Sequence, residues 1–157
     1  YGIESRSTLN LDRYGWNGAR LDASVTLQES EVDGPLTGES RPISDSLLRA
    51  GSLAVRHDIP NSSWAWGVGA SGQINALSYR LTEVGRFWEG PVWGDLYVEN
   101  KDVYGMTVRA GIANLVGADS MWDRTVYTGR RTGPVAFIEE RDRVIGPIFT
   151  FAVRGKF

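Results

Sequence analysis

The strongest constraint on this chain is a strict alternation of apolar and polar residues, sustained over stretches longer than most strands. In "ARLDASVTLQE" (Ala19–Glu29), Ala19, Leu21, Ala23, Val25 and Leu27 share one parity, and Arg20, Asp22, Ser24, Thr26 and Gln28 share the other. Side chains alternate across a β-strand, so a period of two predicts a strand with one apolar and one polar face and argues against a helical stripe. "GIESRSTLNLD" divides Ile3, Leu9 and Leu11 from Glu4, Arg6, Thr8, Asn10 and Asp12, and "SLAVRHD" divides Leu53 and Val55 from Ser52, Ala54, Arg56 and Asp58. "WAWGVGASGQINA" sets Trp64, Trp66, Val68, Ala70, Ile74 and Ala76 against Gly67, Gly69, Ser71, Gln73 and Asn75. Leu96 and Val98, then Met106, Val108, Ala110 and Ile112, continue the apolar parity, with Glu99 and Arg109 on the polar one. At the end, Phe149, Phe151, Val153, Gly155 and Phe157 alternate with Thr150, Ala152, Arg154 and Lys156.

The spacing therefore predicts an all-β antiparallel meander without helices, its seven strands near 2–11, 19–32, 46–58, 63–81, 94–102, 105–117 and 145–157. Short turns near Asp12–Gly18, Pro60–Ser63 and Lys101–Gly105 alternate with long irregular segments at Asp33–Asp45, Leu81–Gly94 and Gly117–Ile145. The two ends of such a meander face different environments. Within the last long segment, "RTVYTGRR" and "VAFIEERDR" flank Thr132, Gly133 and Pro134 and predict a hairpin extension.

Periodicity alone leaves two arrangements open. A soluble sandwich or small barrel points the apolar face into a core; an outer-membrane barrel points it at lipid and encloses the polar face in a lumen. Side-chain size favours the second. A dry core needs large interdigitating residues, whereas acyl chains fill the gaps beside small ones, and the apolar parity here includes Ala19, Ala23, Ala70, Ala76, Ala110, Gly51 and Gly155. Runs of this length also match the roughly 9–11 tilted residues that cross a bilayer, and Trp64 and Trp66 beside a short turn suit an interfacial girdle. The lumen-facing candidates are Arg20, Asp22, Gln28, Arg56, Gln73, Asn75, Glu99, Arg109, Arg154 and Lys156.

Composition narrows the rest. The 157 residues suffice for one domain, and the net charge of −2 argues against a nucleic-acid partner. Cysteine is absent, which removes disulfides and thiolate metal sites. No run is long and apolar enough for a membrane-spanning helix, a test to which barrel strands are invisible. The start at Tyr1, without an initiator Met or signal peptide, is expected of a fragment.

Several short motifs resemble one family. The closing "GPIFTFAVRGKF", with Phe149, Phe151 and Val153 leading to the terminal Phe157, is similar to the closing strand of bacterial outer-membrane barrels, a signal read by their assembly machinery. "GIANLVG" (Gly111–Gly117) resembles the penultimate strand of TonB-dependent receptors, where an Asn-Leu pair, here Asn114 and Leu115, ends the strand; Val116 and Gly117 stand where that family has an aromatic and an acidic residue. "YGIES" (Tyr1–Ser5) is similar to the start of an earlier strand. The resemblance implies the C-terminal barrel part of such a receptor, in the bacterial outer membrane. The whole would be a barrel of about 22 strands with a plug that is absent from this stretch. It would carry a small-molecule nutrient such as an iron chelate, would bind no cofactor, and would have as partners the lipid bilayer, the remainder of the barrel and plug, the TonB complex and the barrel-assembly machinery. With Phe157 on the periplasmic side, all three short turns share that side and the long segments lie outside.

Catalytic readings are weaker. "GVGASG" (Gly67–Gly72) satisfies G-x-G-x-x-G, but "QINALSYRL" continues the strand where a nucleotide site needs a helix; small residues on a crowded wall explain it better. His57 and Asp58 point to opposite faces of a strand and make no direct pair, with Ser52 close only in sequence. The acidic pairs Glu139–Glu140 and Glu4 with Asp22 read as surface or lumen charge before glycosidase chemistry, and "NSS" (Asn61–Ser63) fits a glycosylation acceptor that has little meaning in a bacterial outer membrane. Arg130 and Arg131 are expected to pair with acidic residues across the hairpin, and are also the candidates for contacting an anionic ligand. The alternative to a transporter is a soluble β-sandwich that binds carbohydrate or protein, with Trp88, Trp93 and Trp122 as stacking residues.

Overall fold

The computed structural model describes residues 1–90 and 92–155. Seven long strands, β1 (Gly2–Asn10), β2 (Ala19–Gln28), β5 (Leu47–Asp58), β6 (Trp64–Asn75), β9 (Trp93–Val103), β10 (Met106–Ala113) and β13 (Ile148–Arg154), pair in that order as one antiparallel sheet. Between them lie β3 (Val32–Asp33), β4 (Ser40–Arg41), β7 (Ser78–Tyr79), β8 (Glu83–Glu89), β11 (Ser120–Tyr127) and β12 (Val135–Arg143). The last four of these form a second sheet in the order β12-β11-β8-β7, while β3 and β4 make a small ribbon. The long segments are thus less irregular than expected. Leu81–Gly94 and Gly117–Ile145 pair with each other, because β11 takes β8 on one side and the hairpin partner β12 on the other.

The turns follow local chemistry. Val103 and Met106 pair across Tyr104-Gly105, both with positive φ (56° and 77°), the conformation that makes a two-residue turn match strand twist. The first short turn holds a single 3₁₀ turn, Asp12–Tyr14, and the Asp12 carboxylate accepts a hydrogen bond from the Gly18 amide at 2.8 Å. Strand β10 stops short of the expected 117 because Asn114 turns left-handed, with φ 53°.

Register converts the alternation of each strand into two continuous faces. Leu9, Leu21, Val55, Val68, Leu96, Ile112 and Phe149 stand opposite one another in succession, so one apolar row crosses all seven strands. On the reverse face Asn10, Arg20, Arg56, Gly67, Tyr97, Gly111 and Thr150 form the matching row. The apolar face is open: Leu53 is 54 %, Phe151 73 % and Phe149 78 % exposed. Buried apolar side chains among the described residues are only alanines, Ala19, Ala65, Ala76 and Ala118. The second sheet meets the first chiefly where β8 approaches β6 and does not blanket the apolar rows.

Candidate functional site

The polar face is the candidate functional surface. Nine of the expected lumen residues (Arg20, Asp22, Gln28, Arg56, Gln73, Asn75, Glu99, Arg109 and Arg154) fall on this face by register, and Lys156 lies outside the described residues. Phe149, Phe151 and Val153 stand together on the opposite face, and Phe157 lies outside the described residues.

Towards the short turns the polar face carries an ionic relay. Arg56 holds Glu99 and Asp58, each at 2.9 Å, and Lys101 reaches the same Asp58 at 2.5 Å. Arg20 stands directly opposite Arg56, and the like charges are offset by Asp22, 2.9 Å from the Arg20 guanidinium, which also accepts from Thr8 at 2.7 Å. Tyr97 ties the relay together: its hydroxyl accepts from Arg56 at 2.9 Å, and Arg109 stacks 3.4 Å from its ring centroid. The ring lies across Gly67, where an added Cβ would meet Tyr97 Cε1 at 2.4 Å. Only a residue without a side chain admits the ring there, which gives the "GVG" of "GVGASG" a packing role.

Towards the long segments the same face opens into a groove of about 690 Å³ beneath β8. Its floor is Ser24, Ser52, Ser71, Gln73 and Asn75, and its walls are Phe87, Trp88 and Trp93. Ser24 and Ser52 are hydrogen-bonded at 2.7 Å, and Trp93 stands opposite Ser71. Phe87 packs edge-on against Trp122 with centroids 6.0 Å apart, and Arg86 lies 4.6 Å from the Trp88 ring. Asn75 Oδ1 and Trp88 Nε1 are buried without a hydrogen-bond partner among the described residues.

The second sheet is laced by ions, although not through the arginines expected. Arg124 bridges Glu83 at 3.0 Å and Glu139 at 2.6 Å, and Arg141 also pairs with Glu139. The Arg124 and Arg141 guanidiniums hold the Glu139 carboxyl below its ordinary range, and Glu139 in turn raises Arg124. Arg131 instead donates to the Arg80 carbonyl at 2.6 Å and sits 5.3 Å from the Tyr79 ring. The turn at Thr128–Gly133 curls Arg131 back onto the β7 segment, away from the acidic residues of β12, so the expected cross-hairpin pairing of Arg130 and Arg131 is replaced by Arg124.

On the apolar face near the short turns, His57 sits among indoles, 5.5 Å from Trp16 and 5.9 Å from Trp66, while Asp58 faces the ionic relay. Asn114 is fully buried; its amide donates to the carbonyls of Ala118 and Gly146, and its oxygen accepts from the Ala118 amide. Asn114 is therefore a clamp that fastens both ends of the long segment 114–147. Sequence reasoning missed Tyr97 as the centre of the relay. Its role depends on which glycine and which arginine the register places beside it. Comparison with known proteins finds no family model, no curated protein and no solved structure that matches the chain.

Proposed function

We propose that this chain is the C-terminal barrel part of a bacterial outer-membrane receptor of the TonB-dependent kind, a nutrient transporter and not an enzyme. The observation that carries the reading is the apolar row Leu9–Leu21–Val55–Val68–Leu96–Ile112–Phe149, continuous over seven strands and not covered by the second sheet among the described residues. A contiguous apolar surface of this extent marks a membrane or partner contact, and its backing by a charged, hydroxyl-rich face is the division that a barrel wall requires. A soluble sandwich would need a second sheet over that row.

In this reading the apolar face contacts acyl chains, and Trp16, Trp64 and Trp66 sit at the periplasmic interface. The polar face lines the lumen, where the relay around Arg56 and Tyr97 faces the plug. The second sheet stands outside the cell as part of the ligand-capturing mouth. Uptake would follow plug movement driven through TonB, and Phe149, Phe151, Val153 and Phe157 would present the assembly signal.

Cysteine scanning tests it directly, because this stretch has no cysteine of its own. Single cysteines at Val68, Gly69, Ala70 and Ser71 are labelled in intact outer membranes with a water-soluble maleimide. Positions 69 and 71 should react and 68 and 70 should stay protected; equal labelling of all four refutes the proposal.

A further inference from the structure

The groove beneath β8 has a chemistry of its own. Among the described residues its floor and walls carry no ionisable side chain: hydroxyls line it at Ser24, Ser52 and Ser71, amides at Gln73 and Asn75, and aromatic rings at Phe87, Trp88 and Trp93. On a chain with 17 basic and 19 acidic residues, much of whose polar face is ion-paired, a neutral basin of this size is selective. Within this described lining an anionic chelate would find no guanidinium to receive its carboxylates, and a cation no carboxylate; the nearby Arg86 guanidinium is stacked on Trp88. Arg131, the sequence candidate for an anion, is already spent on the Arg80 carbonyl and the Tyr79 ring. What remains is suited to a ligand with apolar ring faces and a fringe of neutral donors and acceptors. The volume of about 690 Å³ falls within the range of small-molecule sites.

We infer that this groove binds a neutral saccharide, whose C–H faces stack on Trp88 and Trp93 while its hydroxyls meet Gln73, Asn75 and the serines. Arg86 against Trp88 and Trp122 against Phe87 hold the walls in place. The inference rests on the barrel reading in so far as the groove opens on the lumen side of the wall; the lining chemistry does not depend on it.

The test uses the intact receptor in detergent-solubilised outer membranes, with tryptophan fluorescence as the readout. Three neutral hexasaccharides, an α-1,4-glucan, a β-1,4-glucan and a β-1,4-xylan, serve as probes, with citrate as the anionic control. At least one hexasaccharide should saturate the signal and citrate should not. Trp93→Ala should weaken that binding by about tenfold. Gln73→Ala, at an exposed position that leaves the sheet intact, should weaken it severalfold. Absence of binding by all three, equal binding of citrate, or binding unmoved by both substitutions overturns the inference. The cysteine-labelling pattern is read on the intact membranes before solubilisation. Alternation without saccharide binding removes only the groove proposal; saccharide binding without alternation removes only the barrel reading.

Discussion

Val68→Arg places a charge in the middle of the apolar row, and its cost depends on what that row touches. Val68 lies four residues beyond Trp64 along β6, about 13 Å at the usual strand rise. A tilt of about 40° reduces this to about 10 Å of depth, close to the midplane of an apolar band about 25 Å tall. An arginine there should cost about 2–4 kcal/mol, or roughly a 30- to 900-fold shift in the folding equilibrium. Asn100 stands opposite Trp64 on the same face, so Asn100→Arg lies near the interface and should cost about 0–1 kcal/mol. The assay is guanidinium unfolding of the receptor in phospholipid vesicles, the two variants compared with the parent. Costs within about 0.5 kcal/mol at both positions would mean a water-exposed face. Equal large costs at both would mean a protein core without depth dependence. Either result refutes the assignment of the row to lipid.

Gly67→Ala should push the Tyr97 ring aside at a cost of about 1 kcal/mol, and Tyr97→Ala in the same chain should recover part of that loss in a double-mutant cycle. Asn114→Ala removes the groups that hold the Ala118 and Gly146 backbone and should cost about 1–3 kcal/mol, read as faster proteolysis within residues 114–147. Glu139 has its folded-state pKa lowered by Arg124 and Arg141, so its stabilisation of the second sheet is present above the ordinary carboxylate value of 4.5 and is lost as pH falls below it. Protection of the β11 and β12 amides relative to their intrinsic exchange rates should therefore fall on acidification, and Glu139→Gln should flatten that dependence. High salt should loosen the same exposed pairs at neutral pH.

All seven long strands and their order were legible because each carries its own period of two, a local signal that needs no knowledge of its neighbours. The faces were legible for the same reason: once strands pair in register, parity within each becomes a shared side. The second sheet was less so. Its strand β7 lies within the stretch 63–81 expected as a single strand and pairs with β8, while β8 is joined to β11 only by contacts between two long segments, and a segment whose partner is distant shows no turn signal. The ends of strands were set by single residues, as at Asn114, whose buried amide makes bonds reaching Gly146. The Arg124 network was hidden by a turn: "TGRR" drew attention to the denser charges, whereas the backbone returns Arg131 to Arg80 and leaves the paired position to Arg124. The neutral groove combines Ser24, Ser71 and Trp88 from three separated segments, and Trp88 and Trp93 were marked as stacking residues without the serines and amides that complete it.

On its polar side β6 offers Ala65, Gly67, Gly69 and Ser71 in succession, while its neighbours supply Arg56, Tyr97 and Glu99, whose bulk leans over it. The small residues of this strand therefore leave room for side chains that reach across it from both neighbours. A larger residue at Gly67 or Gly69 would meet Tyr97 or Asp95 instead, so the ties between β5 and β9 depend on the composition of the one dodecapeptide that runs between them.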